Sequence, residues 1–212
     1  MKKTVTVIAT SLFFAFVAGA ADAPRTEAFI GYDFVRFNPD SNFVPSLNAN
    51  GGSGQFVYNF YKGFGVAFDG GAVTKGIING TDVDTTVAHF VAGPRWAFYN
   101  SSRFTPFVEA LFGGAYTTTS TQISAVPVIN PLVTGAAADL NLPVSARLVA
   151  SRTSFAMLTG GGFDWRLSKH VSIRPVAFDY YLTRPASLIT GDNVNKNNWR
   201  YSAGVNFTFG AK

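Results

Sequence analysis

Apolar residues recur at every second position along most of this chain, with small or polar residues between them. In the closing stretch WRYSAGVNFTFGAK, Trp199, Tyr201, Ala203, Val205, Phe207 and Phe209 alternate with Arg200, Ser202, Gly204, Asn206 and Thr208. A period of two is the mark of a strand whose two faces meet different surroundings. EAFIGYDFVRF sets Ala28, Ile30, Tyr32 and Phe34 against Phe29, Gly31, Asp33 and Val35. GQFVYNFY, FGVAFDGGAV, HFVAGPRWAFY, TPFVEALFGGAY and FAMLTGGGFDWRL repeat the scheme. VSIRPVAFDYYLT starts in phase and then loses it, because Asp179 would fall on the apolar side. A β-bulge near Ala177 or Phe178 would restore the alternation.

Eight such segments result, each long enough at about 8 to 11 residues for a tilted strand to cross a hydrocarbon layer. The connections alternate as well. YKG, YNSSR and LSKH are short polar turns, whereas the links near 38–50, 75–83, 118–152 and 185–197 are longer. Short turns at one end and long loops at the other are the asymmetry of outer-membrane barrels, periplasmic and extracellular respectively. The predicted fold is therefore all-β: an eight-stranded antiparallel up-and-down transmembrane β-barrel. An even number of strands leaves both chain ends on the short-turn side.

Glycine sharpens this picture. Gly31, Gly65, Gly93, Gly113, Gly160, Gly162 and Gly204 share the face opposite the aromatics. Strand interiors normally avoid glycine, but an eight-stranded barrel has room inside only for side chains, so bulk outside calls for small residues within.

Composition agrees. Hydrophobic residues make up 47% and charged residues only 14%, with 21 Phe and 21 Gly, yet no body segment approaches the ~20 apolar residues of a membrane helix. A soluble sheet can also alternate, so a soluble ligand-binding barrel stays an alternative, one that would extract in buffer without detergent. The N-terminus reads MKKTVTVIATSLFFAFVAGAADA: Lys2 and Lys3, an apolar stretch, then small residues. This is the pattern of a secretory signal peptide over 1–20, with cleavage as late as 23, which leaves a barrel domain over 27–209. There is no cysteine, which removes disulfides, thiolate metal sites and cysteine nucleophiles together. Without Lys2 and Lys3 the charge count is 15 basic against 12 acidic residues, too mild an excess for nucleic-acid binding.

The inner face carries Asp33, Asp69, Arg95, Glu109, Asp164, Arg174 and Arg200. Counting outward from the turns places Arg95 nearly opposite Glu109 and Asp164 nearly opposite Arg174, and closure brings Arg200 beside the strand of Asp33. Buried charges are costly unless paired, so the favoured reading is a network of ion pairs that fills the lumen. The alternative is a narrow or gated ion path.

Catalysis finds few candidates. His170 lies in the LSKH turn, and His89 lies on the inner face roughly opposite Asp69, as a satisfied lumen residue. No Gly-x-Ser-x-Gly elbow, phosphate loop or metal-ligand spacing occurs. No enzyme, cofactor or metal is expected. The link 118–152 is apolar with three prolines. It reads as two strands extending past the membrane, with a cap, a projecting hairpin or a further strand pair giving ten strands as alternatives.

GPRWAFYNSSRFTPFVEALFGGAY and GGGFDWRLSKHVSIRPVAFDYYLTR, with the closing SAGVNFTF, resemble the small outer-membrane β-barrel family related to the OmpA and OmpX barrels. The resemblance runs from about Glu27 to Phe209. It implies location in a Gram-negative-type outer membrane and a non-enzymatic role, in envelope structure or in contacts of the outer loops with an extracellular or host surface ligand. Outer-membrane lipid would be the barrel's surroundings. A small channel and, with less support, a lipid-modifying enzyme remain alternatives. Ser202, Gly204, Phe207 and Phe209 resemble the C-terminal signal read by the outer-membrane assembly machinery, although Gly210, Ala211 and Lys212 follow the last aromatic.

Overall fold

Every alternating segment becomes a strand in a computed structural model that describes residues 23–38, 46–76, 83–124, 145–184 and 196–210. The strands are β1 (Thr26–Phe37), β2 (Leu47–Tyr61), β3 (Phe64–Lys75), β4 (Val83–Ala97), β5 (Phe104–Ser124), β6 (Ser145–Arg166), β7 (Val171–Arg184) and β8 (Lys196–Phe209). Each pairs antiparallel with the next, and β8 returns to β1 with Thr26 opposite Phe209 and Arg36 opposite Trp199, closing the barrel. The predicted signal peptide falls on residues outside those described.

The short turns follow from their residues. Lys62 and Gly63 both hold positive φ, 41° and 82°, the pattern of a two-residue hairpin turn whose twist matches its strands. The Asn100 side chain accepts the Ser102 backbone N–H at 2.9 Å, and the Ser168 hydroxyl accepts those of His170 and Val171 at 3.3 and 3.2 Å. These side chains complete turns that the backbone alone leaves unsatisfied.

At the other end the strands run further than the alternation indicated. β5 continues to Ser124 and β6 begins at Ser145, with those two residues paired. The Thr117–Thr119 run and its neighbours are β-branched and hydroxylated, which suits a strand that no longer alternates apolar with small residues. The two ends of the expected long link, 118–124 and 145–152, are thus strand; the cap and extra-hairpin readings lie outside the described residues. The bulge also sits slightly earlier than expected. The register slips between Arg174 and Ala177, so the extra residue falls at Pro175–Val176. Proline has no N–H to give to a ladder, which makes it a natural place for the slip. After it, Asp179 points inward and is fully buried.

Bulk is distributed inside out. Among the described residues twenty-two large apolar side chains are exposed, ten of them Phe, whereas eleven of the sixteen buried apolar residues are Ala or Val. No helix or second sheet among the described residues covers the outer aromatics. At the β1–β8 seam Gly31 faces Gly204, and the Phe29 ring fills the space beside them. A Cβ on Gly204 would lie 2.2 Å from the Ile30 carbonyl oxygen, so the seam closes this tightly only with glycine.

Candidate functional site

The inward positions of neighbouring strands lie at matched heights, so charges separated widely in sequence meet in the lumen. Nearest the short turns, Glu27 of β1 is enclosed on all sides. Its carboxylate accepts from Arg95 Nη1 at 2.9 Å, Asn59 Nδ2 at 2.7 Å, Asn206 Nδ2 at 2.9 Å and the Tyr99 hydroxyl. Burial, and the Glu27 charge beside it, push the Tyr99 phenol well above its ordinary pKa, so it stays a donor. Arg95 also lies 3.6 Å from Glu109 and 3.4 Å from Asp164. Asp164 in turn accepts Arg174 Nε at 2.8 Å. The Arg174 guanidinium is held between the rings of Phe29 and Phe107, 4.2 and 4.3 Å from their centres. A planar cation between two aromatic faces keeps favourable contacts after losing water.

Gln55 links this layer to the next. Its amide donates to both Glu109 oxygens at 3.1 Å, and its carbonyl accepts Arg174 Nη1 at 3.2 Å. Halfway along the barrel, Arg200 donates to Asp69 at 2.9 Å and Asp179 at 3.0 Å, while His89 Nε2 lies 2.7 Å from Asp69. Above these, toward the long-link end, Val35, Ala49, Val73, Val87, Ala115, Ala156, Leu158 and Tyr181 form a buried apolar layer.

No protein-family model matches the chain, and no curated protein matches it. Solved structures do. Ail, the attachment invasion locus protein of Yersinia pestis, aligns with a TM-score of 0.54 at 18% identity, covering 87% of this chain and 99% of Ail. Neisserial surface protein A aligns with a TM-score of 0.53 at 14% identity, over 87% of this chain and 97% of its own. Ail in complex with the heparin analogue sucrose octasulfate gives 0.51 at 18% identity, over 86% and 97%. The chain has the fold of the small eight-stranded outer-membrane β-barrels. At these identities the likeness is one of fold.

Within this outer-membrane barrel fold, the structure buries Asp33, Asp69, Arg95, Glu109, Asp164, Arg174 and Arg200 together inside. Arg95 faces Glu109 across the ladder, and Asp164 bonds Arg174 beside the bulge. Closure does bring Arg200 beside the strand of Asp33, opposite Val35. Arg200 turns away toward Asp69 and Asp179 and stands 3.9 Å from Asp33, whose two oxygens have no hydrogen-bond partner. Ser202 is buried and Gly204 faces inward, while Phe207 and Phe209 are exposed on the outer face of β8.

Sequence reasoning missed Glu27, Asp179, Tyr99 and the amides of Gln55, Asn59 and Asn206 as members of the network. The alternation did hold the signal for Glu27, which shares parity with Phe29 and Asp33. Tyr99 lies in a turn, where period two says nothing. Among the described residues the lumen holds six buried carboxylates, Glu27, Asp33, Asp69, Glu109, Asp164 and Asp179, with three buried guanidiniums and the His89 imidazole. The His89–Asp69 pair has the elements of a general base, but Arg200 occupies the same carboxylate and the ring is 1% exposed. The pair is part of the buried ion-pair network.

Proposed function

We propose that the chain is an integral outer-membrane protein without enzymatic activity, with its lumen closed by ion pairs and its work done at the surface. The inside-out distribution of bulk carries this reading: exposed Phe56, Phe68, Phe90, Phe112 and Phe178 ring the barrel's middle, where only lipid suits them. The short turns then lie in the periplasm and the long links outside. Ail is by its name an attachment and invasion protein, and it was crystallised with a heparin analogue. Surface contact by the outer links is the corresponding proposal here, alongside a contribution to envelope structure. Phe207 and Phe209, with Ser202 and Gly204 behind them, are proposed as the signal for the assembly machinery. An epitope placed between β5 and β6 should be detected on intact cells, and one at Lys62–Gly63 only after the outer membrane is opened. The reverse pattern would overturn the sidedness.

The excess of carboxylates over guanidiniums favours one second reading, a narrow cation path. Planar-bilayer recording separates the two. A plugged barrel gives no discrete conductance, and cation-selective steps would replace the plug by a channel.

A further inference from the structure

At the long-link end, above the apolar layer, the barrel opens into a cavity of about 200 Å³. Phe37, Leu47, Ala49 and Val87 are the apolar residues of its lining. The polar groups around it are largely engaged with one another: Asn198 donates to Thr183 at 3.2 Å and accepts the Asn38 backbone N–H at 3.0 Å, and Thr85 bonds Thr119 at 3.2 Å. Two lining residues stand apart. Lys75, at the end of β3, and Lys196, at the start of β8, are half-buried on this cavity, and neither ammonium has an acidic partner among the described residues. The carboxylate excess lies deeper, beneath the apolar layer.

A carbon-lined cavity whose ammonium groups have no acidic partner among the described residues is suited to a ligand with an apolar body and one anionic head. We propose that this mouth binds small amphipathic carboxylates, of the class of a medium-chain fatty acid. The size follows from the volume: a cavity of roughly 150 Å³ holds a benzene molecule, so this one takes a tail of similar or slightly larger bulk. Apolar burial supplies affinity and the lysines select the charge. The site goes beyond the surface-contact reading and requires no conduction through the plug.

The test is direct titration of octanoate into the full barrel in lipid nanodiscs, with empty nanodiscs as the partition control. Octylamine serves as the charge control and acetate as the control for the tail. Saturable octanoate binding is expected, without saturable binding of octylamine or acetate. The K75M/K196M double variant should bind about tenfold more weakly, the factor that corresponds to about 1.4 kcal/mol of lost charge-assisted contact. T117W, which places bulk in the cavity and leaves both lysines, should also weaken it. Both variants must keep the wild-type gel mobility of the folded barrel; if T117W does not, T117F takes its place. Equal octanoate binding by wild type and the double variant, equal binding of octylamine, or no saturable binding would each overturn the proposal. An outer-membrane barrel whose mouth binds nothing would still pass the epitope experiment, so the two readings fail separately.

Discussion

Replacing Arg200 with methionine removes the guanidinium that joins Asp69 and Asp179 in the lumen. In the native barrel it reaches Asp69 at 2.9 Å and Asp179 at 2.9 Å, with Asp33 at 3.9 Å. Methionine keeps most of the volume, so the change isolates charge. Asp69, Asp179 and Asp33, all buried, then lose the cation they share. Breaking a buried pair from one side costs about 3–5 kcal/mol. With a urea slope of about 2 kcal/mol per molar, a loss near 4 kcal/mol moves the unfolding midpoint down by about 2 M. Tryptophan fluorescence of Trp96, Trp165 and Trp199 in lipid vesicles reports that midpoint. The D69N/D179N/R200M variant should recover most of the loss, because the two carboxylates that bond Arg200 lose their charge together with it. Asp33 supplies a change of opposite sign: its oxygens have no hydrogen-bond partner, so D33N should stabilise the barrel by roughly 1 kcal/mol. An unchanged midpoint for R200M, or a D33N variant that is as damaged as R200M, would refute the reasoning about the plug.

Other predictions follow from separate parts of the barrel. Gly204→Val should prevent closure of the β1–β8 seam, read as loss of the folded band on an unheated gel, since its Cβ meets the Ile30 carbonyl. Arg174→Lys should lower stability by roughly 1–2 kcal/mol in the same urea assay, because an ammonium cannot lie flat between Phe29 and Phe107. Phe90→Lys, at a side chain 72% exposed, should cost about 2–4 kcal/mol if that face meets lipid near the bilayer's middle, and almost nothing if it meets water. Tyr99 keeps its proton in the folded barrel above the pH at which the unfolded chain loses it, since its folded pKa is raised. Its contribution is therefore present below about pH 10 and is lost as pH rises further, and Tyr99→Phe should flatten that alkaline decline in urea titrations.

Strand number, pairing and the identity of the inner face were legible in the sequence because period two is a local property. Phe29, Asp33 and Val35 could be assigned to one face from their spacing alone. Asp179 required knowing that a bulge falls at Pro175–Val176; the proline was a visible cue, but the slip itself depends on the register of two neighbouring strands. The outward extension of β5 and β6 was read from the 118–152 link as two strands running past the membrane; their end points were not, because the outer part of β5, TTTSTQIS, alternates no apolar signal. Within the lumen, ladder neighbours such as Arg95 and Glu109 could be matched by counting from a turn. Partners across the barrel could not. Glu27 and Arg95 are 68 positions apart and Arg200 and Asp69 are 131 apart, and only closure brings them together. That Arg200 hydrogen-bonds Asp69 and Asp179 while Asp33 stands 3.9 Å away is a matter of side-chain geometry, which alternation does not encode.

The most direct test of a membrane-spanning closed barrel is heat-modifiable migration of the detergent-extracted outer-membrane fraction. A closed barrel with a hydrogen-bonded seam should resist dodecyl sulfate when unheated and shift its mobility on boiling. The protein should also stay with the membrane in detergent-free buffer. A single unshifted band, or release into buffer without detergent, would contradict the account.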